Sequence, residues 1–162
     1  MHLAIATPAD IPDIMAIERT EGFDQLVGRA EAASHAASMA DESVRYWIAR
    51  DETGKALGFA VLAGLNDKWG NILLRRIAVG APGNGTGTKL LAEVIDRTFI
   101  DIPTAYRFWL DVFEHNARAR RAYTKLGFTE EGVIRQGYIL PDGKRVDRIM
   151  MSVLRPEWRR PA

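Results

Sequence analysis

Two short stretches of the chain hold residue types and spacings that can do chemistry. The first is Gly83-Asn84-Gly85-Thr86-Gly87-Thr88, set between a β-like run over 72–79 and a helix-like run over 89–95. Glycines at alternate positions on a strand-to-helix turn let the backbone come close to a ligand and expose its N–H groups. Together with the helix N-terminus, those N–H groups make a binding site for phosphate. The second stretch runs from Leu110 to Phe128, where Asn116 and Tyr123 lie two turns apart on one helix and share a face. The pair joins an amide to a phenol that can donate a proton.

The glycine turn has look-alikes. A Walker-type loop ends in Gly-Lys-Ser/Thr, whereas Gly87 is followed here by Thr88 and only then by Lys89. The dinucleotide fingerprint places its third glycine where Thr88 stands, and it belongs at the start of a βαβ unit rather than mid-chain. A flexible glycine linker is the bland alternative, opposed by the apolar runs that press on both ends of the turn.

The elements that must position these groups are legible in outline. Leu3–Ala6 reads as a strand, and Thr7-Pro8-Ala9-Asp10 as the start of a helix whose apolar residues Ile11, Ile14, Met15 and Ile17 carry to Arg19. Residues 20–28 read as a loop and 29–40 as an alanine-rich helix. Strands over 44–50, 56–65 and 69–79 follow as an antiparallel meander, joined by turns at 51–55 and 66–68. The glycine turn then enters a helix over 88–98. A strand over 107–112 comes next, then a helix over 116–126 closed by Gly127. Strands over 129–138 and 145–154 flank a Pro-Asp-Gly-Lys turn. The order β-α-α-β-β-β-α-β-α-β-β predicts an α/β fold: one domain over 1–162, with a mixed, mainly antiparallel sheet of about six to seven strands and about four helices. The crossover through the glycine turn makes the strands on either side of it parallel. Residues 155–162 read as a mobile, solvated tail with Trp158 as a docking point.

Composition narrows the function. A chain of 162 residues is about one domain with a sizeable core. The formal net charge of +1 gives no argument for a nucleic-acid partner or an anionic membrane surface. There are no cysteines, which removes disulfides, thiolate metal sites and a cysteine nucleophile. Histidines are not spaced for a metal, so none is expected. The start, Met1-His2-Leu3, lacks the pattern of a signal peptide and no apolar run reaches a membrane span, so a cytoplasmic protein is the expectation.

The segment from Leu110 to Phe128, taken with the strand and glycine turn before it, resembles the Gcn5-related N-acetyltransferase superfamily. The resemblance covers Leu3 to Leu154 and is strongest from Leu73 to Gly132. The ending Gly127-Phe128-x-x-Glu131-Gly132-x-x-Arg135, followed by Asp147-x-x-x-Met151-x-x-Leu154, is most similar to the branch of ribosomal-protein N-terminal acetyltransferases. It implies an acetyl-CoA-dependent N-acetyltransferase, with acetyl-CoA as cosubstrate and a primary amine, small molecule or protein N-terminus, as acceptor. Ile77, Ala78 and Val79 match the strand segment that pairs with the pantetheine arm. Pro82, Gly83, Asn84, Gly85, Thr86, Gly87 and Thr88 match the pyrophosphate turn, with Pro82 standing where Arg or Gln is usual. Asn116 matches a cofactor-contacting asparagine. Tyr123 matches the tyrosine near the sulfur, taken as general acid. Asp111 occupies a strand position where some members carry a base. Homodimers are common in the superfamily.

The chemistry such a reaction needs can be set beside the residues. An amine attacking a thioester needs a donor for the oxyanion, which a strand N–H near Val79 can supply. A phenol of reference pKa near 10 can protonate a thiolate whose acid is near 8.5. Asp111, Glu114 or Glu18 can take the amine's proton through water. Without a cysteine, direct transfer in a ternary complex is favoured over a covalent enzyme intermediate. Blander roles stay open. Asn116 is a good helix cap, Tyr123 a plausible core aromatic, Asp111 a structural acid, and Glu18 a solvated helix residue. His35 and His115 read as loop or surface residues. Arg118, Arg120 and Arg121 read as a solvated helix face, one of them a candidate for a cofactor phosphate. Phe23 and Trp69 could wall the acceptor site or anchor the core. A non-catalytic acyl-CoA sensor is the alternative function.

Overall fold

The computed structural model describes residues 1–21 and 28–160. Its elements follow the expected order: β1 (His2–Ile5), α1 (Ile11–Glu18) after a single 3-10 turn, α2 (Ala32–Met39), β2 (Val44–Arg50), β3 (Ala56–Ala63), β4 (Asn71–Val79), α3 (Thr86–Asp101), β5 (Arg107–Phe113), α4 (Ala117–Lys125), β6 (Thr129–Ile139) and β7 (Arg145–Leu154). The seven strands form one sheet in the order β1-β2-β3-β4-β5-β7-β6. The pair β4–β5 is parallel, as the crossover required, and every other neighbouring pair is antiparallel.

Side chains alternate across the pleat, so one strand feeds two cores. In β2, Trp47 and Ala49 enter a core with α3, while Val44, Tyr46 and Ile48 enter the opposite core with α1. In β3, Ala60 and Leu62 face the first core and Phe59, Val61 and Ala63 the second. This is why 59–63 is an unbroken apolar run: the strand is covered on both faces. On α3, Leu90, Leu91, Val94, Ile95, Thr98 and Phe99 recur at helical spacing as one buried stripe. Each large apolar side chain buried there contributes about 1.5–3 kcal/mol.

Two local features set up the site. First, β4 and β5 pair only from Asn71–Arg107 to Leu73–Trp109 and then part. Among the described residues, the main chain of β4 beyond Leu73 therefore has no strand partner on its β5 side. Second, β4 carries a bulge where they part. Val61 pairs with Arg76 and Leu62 with Leu74, which leaves Arg75 as the extra residue. A bulge bends its strand and re-aims the side chains around it.

The residues after β7 differ from the expected mobile tail. Arg155 donates to the carbonyls of Phe99 at 2.6 Å, Ala105 at 2.7 Å and Ile102 at 2.8 Å, closing the C-terminal end of α3. Trp158 Nε1 donates to Asp96, and Arg160 pairs with Glu93 and Asp96. Trp158 docks as anticipated, and the segment through Arg160 is strapped along α3. No helix among the described residues is long and apolar enough to cross a membrane.

Candidate functional site

The parting of β4 and β5 opens two cavities. One, of about 390 Å³, is lined by Ile77, Ala78 and Val79 of β4, by the turn residues Pro82, Gly83, Gly85, Gly87 and Thr88, and by the α4 residues Arg118, Ala119, Ala122 and Tyr123. The other, of about 450 Å³, is lined by Leu74–Ile77 of β4, Leu110–Phe113 of β5, the β6–β7 hairpin through Tyr138, Leu140 and Pro141, and Gly28 and Arg29. Ile77, Asn116 and Tyr123 line both. The two spaces therefore meet at one β4 residue and at the amide and phenol of α4.

The turn is built from main chain. Gly83 and Gly85 adopt φ of +106° and +82°, a region open to glycine at little cost. Gly85 is the N-cap of α3 and has no side chain to cap it. Asn84 Oδ1 accepts the Thr86 N–H at 3.0 Å, and the first intrahelical bond runs from the Lys89 N–H to the Gly85 carbonyl at 3.1 Å. Gly87 and Thr88 are left with N–H groups that the helix itself does not satisfy. Among the arginines of α4, Arg118 is the one at the turn: a Cβ placed on Gly83 would lie 3.8 Å from its Nη2. Arg120 is instead held by Glu130 at 2.8 and 3.1 Å and by the Glu114 carbonyl at 3.1 Å.

At the junction, Asn116 is the N-cap of α4, its Oδ1 accepting the Ala119 N–H at 3.1 Å. The cap leaves the Nδ2 amide to the cavities. Tyr123 is half-buried against the core and packs on Phe128 with ring centroids 5.8 Å apart. Burial pushes its phenol up from 10.0 to about 12, with Arg148 opposing the rise and Asp111 adding to it. Asp111 lines the larger cavity but is ion-paired with Arg148, whose Nη2 also donates to the Asp111 carbonyl at 3.3 Å. Arg148 lies over Phe113 at 5.2 Å and Tyr138 at 5.3 Å, and its Nε is buried without a hydrogen-bond partner among the described residues.

Glu18 and His35 correct the expectation of solvated or surface residues, for both are fully buried. Glu18 Oε1 accepts from the Ala30 N–H at 2.9 Å and Arg19 Nη1 at 3.0 Å, and lies 3.4 Å from His35 Nε2. Its Oε2 accepts from Arg76 Nη1 at 2.8 Å. The other side of the His35 ring meets the Tyr46 hydroxyl at 3.2 Å. Glu18 lines neither cavity. Trp69 is also corrected as an acceptor wall: it is 72% exposed on the turn before β4 and reaches neither cavity. Phe23 lies outside the described residues. The sequence reading missed Arg75, Arg76, Tyr138 and Arg148. Tyr138 and Arg148 stand on strands distant in sequence from both motifs, and only the bulge turns Arg75 and Arg76 together toward the cleft.

Comparison with known proteins agrees with this architecture. The model of the acetyltransferase (GNAT) family matches residues 11–128. The ribosomal-protein-S18-alanine N-acetyltransferase from Escherichia coli is similar in structure, with a TM-score of 0.76, 26% identity and coverage of 94% of this chain and 92% of that one. Spermidine N-acetyltransferase from Vibrio cholerae, in complex with CoA and spermine, superposes with a TM-score of 0.81 at 19% identity, covering 96% of each chain.

Proposed function

As the chain belongs to the GNAT acetyltransferase family, we propose that it moves the acetyl group of acetyl-CoA directly to a primary amine, with the cosubstrate in the smaller cavity and the amine in the larger. The observation that carries this reading is the shared junction at Ile77, Asn116 and Tyr123. Two ligands entering from opposite sides have one place to meet, and a protonated phenol stands there.

Bound acetyl-CoA supplies an activated thioester. The chain's own groups then divide the work. The N–H groups of Gly87 and Thr88 and the guanidinium of Arg118 are suited to hold phosphate oxygens. Arg118 thus offers from α4 the side-chain contact that Pro82 cannot make. The unpaired β4 main chain at 77–79 presents donors and acceptors as a strand would. Asn116 Nδ2 orients the cosubstrate at the junction. Asp111, beside Tyr123 in the larger cavity, receives the amine's proton by way of water. Glu18, buried and fully engaged, serves instead to anchor Arg76. In the transfer a nitrogen–carbon bond forms, the carbon–sulfur bond breaks, the nitrogen loses a proton and the sulfur gains one.

The raised phenol refines the role of Tyr123. Full proton transfer from a group near 12 to a thiolate with a reference pKa near 8.5 runs uphill by about 3.5 pK units, or ~5 kcal/mol. Tyr123 is therefore assigned first as a hydrogen-bond donor to charge developing on sulfur. A non-catalytic acyl-CoA sensor gives no role to a protonated donor at this junction.

Tyr123→Phe tests the reading. It should lower kcat by about 10²–10³-fold while CoA affinity, measured by calorimetry, stays within about threefold. Unchanged turnover would remove Tyr123 from the mechanism. The phenol also makes a pH statement. Its folded pKa lies above the free value, so the folded state holds more protons between pH 10 and about 12, and stability falls as pH rises through that window. Phenolate absorbance should show one tyrosine titrating near 12 that disappears in the Phe variant.

A further inference from the structure

On the proposal that the larger cavity is the acceptor site, its charge pattern narrows the ligand. Among the described residues, Arg75, Arg76 and Arg148 line it with one carboxylate, Asp111. That carboxylate is already matched by Arg148. Arg76 is matched from behind by Glu18, which lies outside the cavity. Arg75, the bulged residue, is exposed, and it acts on the Asp41 carboxylate through space.

Hydrogen-bonding capacity agrees with charge. A guanidinium has five N–H donors and no acceptor. Arg148 lies against the rings of Phe113 and Tyr138 and has a buried Nε with no partner among the described residues. Arg76 donates Nη1 to Glu18 and leaves Nη2 against the segment at Gly28, where an added Cβ would stand 3.0 Å away. A preorganised fork of this kind suits an oxyanion. A polyamine would bring several ammonium groups to a wall with, among the described residues, one acid that is already ion-paired. Like charges brought this close repel one another. Asp111 sits by Tyr123, close enough that both it and Arg148 act on the phenol. The cleft thus offers Asp111, held by Arg148 beside Tyr123, at the end where the amine must lie, and Arg75 and Arg76 on its β4 wall.

We propose that the acceptor is a small primary amine that carries its own oxyanion, its nitrogen toward Asp111 and Tyr123 and its anionic group on Arg75 and Arg76. The same charges disfavour polyamines.

The test is an acceptor panel with acetyl-CoA, read by thiol release. The panel holds glutamate, taurine and O-phosphoethanolamine as anionic amines, glutamic diamide and ethanolamine as neutral counterparts, spermidine as polycation, and peptides with acidic or basic N-termini. At least a tenfold higher kcat/KM for the anionic amines than for the neutral ones, and a still larger margin over spermidine, is expected. In Arg75→Glu that margin should shrink at least tenfold through KM, with CoA affinity unchanged, and Arg75→Lys should restore most of it. Preference for an acidic-start peptide over all small amines would keep the oxyanion but overturn the small-molecule source. Spermidine or a neutral amine serving equally well would overturn the inference while leaving the acetyltransferase reading intact, as would an unaltered ranking in Arg75→Glu. Calorimetric titration of the CoA-saturated protein reads the same preference without turnover. Anionic amines that bind but are never acetylated would support this inference and sink the proposed reaction, and no binding preference would sink the inference.

Discussion

The two cavities that meet at Tyr123 are made of different material. The smaller is built around a glycine turn, the start of α3 and a strand segment that has parted from β5, with α4 as its far wall. The larger is made of long side chains drawn from β4, β5, β6, β7 and the segment at Gly28–Arg29. Backbone recognition is generic, because N–H groups grip any phosphate in reach. Side-chain recognition is particular, because its charges and shapes change with each substitution. A fold built this way can keep one half constant and vary the other, which fits a family sharing a cosubstrate across many acceptors.

The sharpest way to break that division is at Glu18. This carboxylate stands behind the larger cavity, and removing it leaves Arg76, Arg19 and His35 without their common partner. Loss of one member of a buried pair costs about 3–5 kcal/mol. Arg76 and Arg19 keep side-chain exposures of 21% and 34%, which places Glu18→Ala near the lower end. Denaturant unfolding should show this loss. In the protein that remains folded, acceptor KM should rise while CoA affinity holds. A parallel loss of CoA affinity would mean the halves are not separable.

The same contrast explains what the sequence revealed. The glycine turn was legible because its chemistry is contiguous: six residues, an apolar strand before and an apolar helix after. The order of elements along the chain was legible because periodicity and turn residues are local too, whereas the insertion of β7 between β5 and β6 was not. The cleft of arginines was not. Arg75 and Arg76 are neighbours in sequence, so an ideal strand would send them to opposite faces. Only a register shift against β3 turns both toward the cleft, and no residue type announces it. Glu18 and His35 looked like surface residues because polar types usually are. Their burial depends on finding each other, Tyr46 and Arg76 across the fold.

A smaller effect sharpens the comparison from the other side. Arg118 is the long side chain at the backbone-built site, so Arg118→Ala measures how far main chain alone suffices. A charge-assisted hydrogen bond is worth about 1.5–3 kcal/mol, so CoA affinity should fall by roughly 10- to 150-fold. Acceptor KM at saturating acetyl-CoA should not move. A loss of less than threefold would show that the turn holds its ligand without help and that Pro82 needs no replacement.

The smallest effect is the most discriminating, because Asn116 belongs to both halves. Its Oδ1 caps α4 and the residue lines both cavities. Asn116→Ala removes cap and amide together and should cost about 1 kcal/mol of stability. Asn116→Ser keeps a cap oxygen but not the Nδ2 donor, so most of that stability should return. If the amide orients the cosubstrate, kcat/KM for acetyl-CoA stays several-fold low in the Ser variant despite the restored helix. If Asn116 only caps, activity returns with stability. Stability follows the helix end and activity follows the donor, so one pair of variants separates a fold that presents a site from a residue that works in it.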